Sequence, residues 1–194
     1  IRRQRQMCIR DRYNVKATFF VTNGKPDYQN LIAQEAQRGH TVAIHSASHD
    51  YAKIYQSVDA YFADFDEMNS IITAQTGKAA DLVRFPGGSS NTISKKYCYG
   101  IMSQLVCAVE ERGFRYCDWN VSSGDAGGTT STSQVVANVI AGIKGNNVSV
   151  VLQHDIKNFS VDAVEQIIQW GLSEGYTFLP ITSTTPMSHH GVNN

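Results

Sequence analysis

The sequence predicts an α/β fold, an incomplete (β/α) barrel with mainly parallel strands. Three observations lead there. Short β-rich runs alternate with single amphipathic helices, which is the rhythm of βα units. The runs are apolar along most of their length, as strands covered on both faces must be. Residues able to do chemistry gather at the carboxyl ends of the runs, the end on which a parallel barrel builds its site. An open doubly wound sheet is the alternative, but no Gly-rich dinucleotide fingerprint follows the first strand to support it.

The elements follow in order. VKATFFV (15–21) is a strand, and DYQNLIAQEAQRG (27–39) a helix with Leu31, Ile32 and Ala36 on one face and Gly39 as its stop. TVAIH (41–45) is the next strand. SVDAYFADFDEMNSIITAQTG (57–77) is a long helix with a serine cap, Gly77 at its end, and Val58, Tyr61, Phe62, Phe65, Met68 and Ile72 along one side. LVRFP (82–86) is short and extended, because Pro86 keeps Phe85 out of helical angles. GIMSQLVCAVEERG (100–113) is helical and FRYCDW (114–119) a strand. STSQVVANVIAGIKG (131–145) is a helix, NVSVVLQH (147–154) a strand, SVDAVEQIIQWGLSEG (160–175) a helix, and YTFLPIT (176–182) the closing strand.

Composition narrows the function. The 194 residues suffice for one sizeable core, and 42% hydrophobic with 18% charged residues describes an ordinary globular domain. Seventeen basic residues balance seventeen acidic ones, so charge gives no argument for nucleic acid or an anionic membrane as partner. No apolar stretch approaches the roughly 20 residues that cross a bilayer. The start, IRRQRQMCIRDR, holds five arginines in twelve residues with no apolar run behind them, so it is not a secretory signal. Residues 1–12, with Cys8, are read as an artefact or non-native segment outside the fold. Residues 13–183 form the domain, and 184–194 are expected as a flexible tail. Cys98, Cys107 and Cys117 contain no C-x-x-C pair and are read as buried free thiols, with a Cys98–Cys107 pairing as the alternative.

Four successive strand ends carry reactive groups. The second strand ends at His45, with His49 four residues on. The third leads into Arg84-Phe85-Pro86-Gly87-Gly88, the fourth ends at Asp118-Trp119, and the fifth at His154-Asp155. Two imidazoles at the first spacing can converge on one metal ion, which then needs a further ligand, often a carboxylate; they can also be unrelated loop residues. Arg84 can grip an anion or be a surface cation, and the Pro-Gly-Gly run can be a plain turn. Asp118 can be a cap and Trp119 a core aromatic. His154 resists a bland reading, since a buried strand seldom ends in an imidazole that lacks a partner.

The motifs ATFFV, HSASH, RFPGG, DW and LQH, in this order, resemble the polysaccharide deacetylases of the NodB-homology type, carbohydrate esterase family four. RFPGGSSN with DWNVSSGDA resembles most the peptidoglycan N-acetylglucosamine deacetylases of Gram-positive bacteria. The resemblance spans about Tyr13 to Ile181. It implies a distorted (β/α) barrel and a metal-dependent hydrolase that removes N-acetyl groups from polysaccharide, with peptidoglycan first and chitin oligomers or acetylated xylan as alternatives. It implies a divalent metal, usually zinc, on His45 and His49, with Ser46 supporting the loop between them. Arg84 would orient the catalytic carboxylate, and the Gly87 N–H would stabilise the oxyanion. Trp119 and Leu152 would line the acetyl pocket. His154 would protonate the leaving amine, held in the correct tautomer by Asp118.

The family's T-F-D-D-G motif, which supplies the base and a third metal ligand on an earlier strand, is not found ahead of Tyr13. A chain lacking that first strand is expected to bind zinc weakly and deacetylate little, general base catalysis being worth about 10²–10⁴-fold. Two rivals stand beside this reading. One is a carbohydrate-binding pseudoenzyme; the other is an amidohydrolase-type barrel, for which His40, His189 and His190 lie in unsuitable places. A wall substrate implies an extracellular or cell-envelope location.

Overall fold

The structure, a computed structural model, describes residues 2–193; Ile1 and Asn194, at the outer ends of the two terminal segments delimited from the sequence, lie outside the described residues. In chain order the elements are α1 (Arg2–Arg12), β1 (Thr18–Thr22), α2 (Asn30–Gln37), β2 (Thr41–Ser46), α3 (Tyr51–Ile54), α4 (Val58–Thr76), β3 (Leu82–Val83), α5 (Ile101–Glu111), β4 (Arg115–Tyr116), β5 (Val121–Ser122), α6 (Thr132–Lys144), β6 (Val151–Leu152) and α7 (Asn158–Ser173). They divide into two compact units. One runs Thr18–Asp118 and resumes at Ile181; the other takes the chain up to Ala17 and Trp119–Pro180. The strand pairings among the described residues are all parallel and both sheets are open, so the chain is an α/β protein of parallel strands, as the alternation requires.

The Thr18–Asp118 unit holds a sheet in the order β1-β2-β3-β4. The pairing of β1 with β2 runs in step from Thr18↔Thr41 to Val21↔Ile44 and then slips, so that Thr22 meets Ser46 and His45 is the extra residue of a bulge. Helix α4 forms where the periodicity placed it. The Ser57 hydroxyl accepts from Ala60 N, Gly77 closes the helix at φ 76°, and Tyr61, Phe62, Phe65, Met68 and Ile72 are buried. Phe65 meets Phe114 edge-on at 4.8 Å. Burying each such side chain is worth roughly 1.5–3 kcal/mol.

In the second unit β5 pairs with β6, and α6 packs on α7 through Val135, Val139 and Ile143 against Ala163 and Ile167. The segment read as non-native is helical there. Ile9 joins Val15, Val161, Val164 and Ile168 in a core cluster, and Arg3, Arg5 and Arg12 pair with Asp155, Asp162 and Glu165.

Three expectations need correction. Residues 176–182 form no strand: the Ile181 N–H donates to Thr18 Oγ1 at 2.7 Å, its carbonyl accepts from the same hydroxyl at 3.1 Å, and Pro180 has no N–H to give to a ladder. The run 114–119 yields only Arg115–Tyr116, and a separate strand follows at Val121–Ser122. Residues 186–193 are irregular, and Ser188–His190 among them make specific bonds. Ser188 O accepts from Asp118 N at 2.7 Å, and the His189 ring stacks on Tyr116 at 3.9 Å. Of the three cysteines read as buried free thiols, all are free, but only Cys117 is buried; Cys107 is exposed and Cys98 partly so.

Candidate active-site residues

His45 sits at the bulge and His49 at the end of the loop that follows β2. The bulge turns His45 out of the strict alternation of the strand. Its Nδ1 lies 2.6 Å from the Arg84 carbonyl oxygen. A carbonyl only accepts, so Nδ1 carries the hydrogen and the neutral ring presents an unprotonated Nε2. The two rings lie 5.0 Å apart between centroids. His49 has a left-handed backbone, φ 53°, unusual for a residue with a side chain, and its N–H donates to Ser46 Oγ at 2.8 Å.

The loop between the histidines is gripped by a residue that sequence reading missed. Asp64, on α4, is 2% exposed. Its Oδ1 accepts from Ser46 Oγ at 2.6 Å and Ala47 N at 2.8 Å, and its Oδ2 from Ser48 N at 2.8 Å and Ser48 Oγ at 2.5 Å. Burial pushes this carboxyl up, but the four donors outweigh it and hold it below the ordinary carboxylate range.

Arg84 is buried. Its Nε and Nη2 donate to the carbonyls of Cys117 and Asp118, both at 2.8 Å, and the guanidinium lies 4.2 Å from the centre of the Phe20 ring. Burial lowers its pKa. Gly87 has φ +79°, and a Cβ there would lie 3.0 Å from Asn91 Cβ and 3.2 Å from Tyr51 Oη. Only glycine fits this turn. Asp118 is 1% exposed, and its carboxylate accepts from Ser89 N at 2.9 Å, Ser89 Oγ at 2.5 Å and His190 N at 2.9 Å.

Those bonds correct the expected role of Asp118. The carboxylate on His154 is that of Asp125, in the loop after β5: His154 Nδ1 lies 2.7 Å from Asp125 Oδ1, and His154 N donates to Oδ2 at 2.7 Å. Asp125 is 1% exposed and also accepts from Ser160 Oγ at 2.5 Å, while the His154 side chain is 36% exposed. Burial raises the Asp125 carboxyl, but His154 and Ser160 together draw it down to about 2. Gly124 sets up the turn at φ +78°, where a Cβ would come within 2.7 Å of Asn138 Nδ2. Leu152 and Trp119 are both half-buried. The signal for Asp125 was the strand-end rule itself, applied to FRYCDW when Val121–Ser122 was the strand that mattered. Among the described residues no group of three His, Cys, Asp or Glu side chains is placed to hold a metal ion.

A family model for polysaccharide deacetylases matches residues 7–99. The fold also superposes, with TM-score 0.97 and 68% identity, on the catalytic domain of a peptidoglycan N-acetylglucosamine deacetylase from Eubacterium rectale, covering 98% of this chain and 87% of that one. The chain belongs to the polysaccharide deacetylase family. A polysaccharide deacetylase structure from Bacillus cereus matches with TM-score 0.82 and 28% identity over 100% of this chain and 90% of that one. A peptidoglycan-N-acetylglucosamine deacetylase, also of Bacillus cereus, is 30% identical over 172 residues, 86% of this chain and 59% of that protein. The chain thus spans about three fifths of that relative's length.

Proposed function

We propose that this chain is a metal-dependent hydrolase that removes N-acetyl groups from N-acetylglucosamine units of peptidoglycan, with His45 and His49 as ligands of a divalent metal, zinc. The observation that carries the reading is the His45–His49 pair. One ring is locked by the Arg84 carbonyl into the tautomer a metal needs, the other hangs from a backbone fixed by Ser46, and the centroids are 5.0 Å apart. Such donors suit zinc, which when bound polarises an amide carbonyl and acidifies water. Gly87 offers its N–H to the oxyanion of the acetamide. His154, with Nδ1 committed to Asp125, has Nε2 with which to give a proton to the departing nitrogen. Leu152 and Trp119 are the residues we assign to the acetyl methyl.

Activity of the chain as it stands is expected to be low, because no carboxylate joins the histidine pair among the described residues. The same observation favours a second reading, a carbohydrate-binding protein without catalysis. Acetate release from N-acetylglucosamine oligomers and from glycan strands separates them, measured with zinc, with chelator, and with His45→Ala. Slow, zinc-dependent release lost in the variant supports the hydrolase. Binding of oligomers with no release under any condition supports the second reading. No helix among the described residues is long and apolar enough to cross a membrane. A wall substrate puts the work at the cell envelope or outside the cell.

A further inference from the structure

We infer that Asp64 is the positioning residue of the His45–His49 pair, acting through the Ser46 hydroxyl on the backbone of His49, and that metal affinity depends on this relay. The inference rests on the reading of the two histidines as ligands. Asp64 belongs to α4, not to the loop it holds, and it is 2% exposed. As a carboxylate it only accepts. The single hydroxyl hydrogen of Ser46 is therefore committed to Asp64 Oδ1 at 2.6 Å, which turns the oxygen lone pairs toward the His49 N–H at 2.8 Å. That N–H belongs to the one loop residue in the left-handed region, φ 53°. Without the relay the His49 N–H loses its acceptor. The Asp50 N–H on Ser48 Oγ at 3.3 Å and the Tyr51 ring at 5.5 Å are then left to hold the His49 ring at its 5.0 Å spacing from His45. The donors from Ala47 and Ser48 fill the remaining carboxylate positions and fix the loop between the ligands.

The test is the zinc dissociation constant of the full chain, read by competition with a chromophoric chelator, beside the thermal midpoint of the chelator-treated protein. Asp64→Asn is expected to weaken zinc binding about 10–100-fold, the usual scale for losing an outer partner of a metal ligand. Ser46→Ala should fall in the same range, and Ser46→Thr, which keeps the hydroxyl, should stay within about threefold of wild type. Because the two residues are links of one chain, the double variant should lose no more than about threefold beyond the weaker single variant. Cobalt absorption in Asp64→Asn should shift as well, which a loss of fold stability alone would not produce. An unchanged zinc affinity in a folded Asp64→Asn protein overturns the inference. Should that variant not fold, Ser46→Ala decides, since it leaves Asp64 its other donors; unchanged affinity there overturns it equally. Wild type binding zinc no more tightly than His45→Ala would overturn the metal reading itself, and the relay with it.

Discussion

His154 holds its hydrogen where Asp125 dictates. An ionised carboxylate can only accept, so Nδ1 is the protonated nitrogen of the neutral ring and Nε2 is the one that exchanges protons with a partner. Asp125→Asn is expected to abolish the single tautomer, because the amide can turn its NH₂ toward Nδ1. Nitrogen-15 spectra of labelled histidine check this, and an unchanged tautomer ratio would sink the assignment. The same carboxylate ties stability to acid. Its folded pKa of about 2 lies below the ordinary 3.8, so its contribution is fully present above the ordinary value and fades as pH falls through the folded one. The size is about 2 kcal/mol. Urea unfolding at pH 4.5 and 2.5 should show most of that loss in wild type, and a loss smaller by about 1.5 kcal/mol in Asp125→Asn. At this scale the sequence is legible only for residues whose chemistry is rare at their position. His45, His49 and His154 stood out at strand ends. Asp64 did not, because an aspartate on an amphipathic helix reads as solvent-facing until the loop beneath it is seen.

Helices obeyed their pattern better than strands did. The 3.6-residue period of α4 accumulates over 19 residues, and its Ser57 cap and Gly77 stop both lie where they were expected. Phe65, 1% exposed and ringed by Tyr61, Phe62 and Phe114, should cost about 3–5 kcal/mol when replaced by alanine, measured by equilibrium denaturation. A cost below 1 kcal/mol would mean the aromatic cluster is not the support of this helix. Strands offered less. β3, β4, β5 and β6 are two residues each, too short for alternation to register, and Val121–Ser122 lies in a polar stretch that reads as loop. Missing that strand is why Asp125 was missed. The tail shows a related limit: a polar segment gives no sign in sequence of what it bonds to, and here Asp118 supplies an acceptor for the His190 N–H.

The molecule as a whole carries no formal net charge, seventeen basic groups against seventeen acidic. Capture of the proposed glycan substrate should then depend on local contacts rather than on long-range attraction. Raising salt from about 50 to 200 mM is expected to change oligomer affinity by less than about twofold; a tenfold loss would point to a charged subsite. Family membership and the α/β class were legible because five short motifs in a fixed order constrain the chain more than any one does, and fold similarity at TM-score 0.97 agrees. The slip between Val21 and Thr22 has a practical reach beyond this protein. A designer who grafts the H-S-A-S-H loop onto another parallel sheet and keeps a regular ladder will aim the first histidine at the wrong layer. The neighbouring strand, with its mismatch opposite His45, has to travel with the graft.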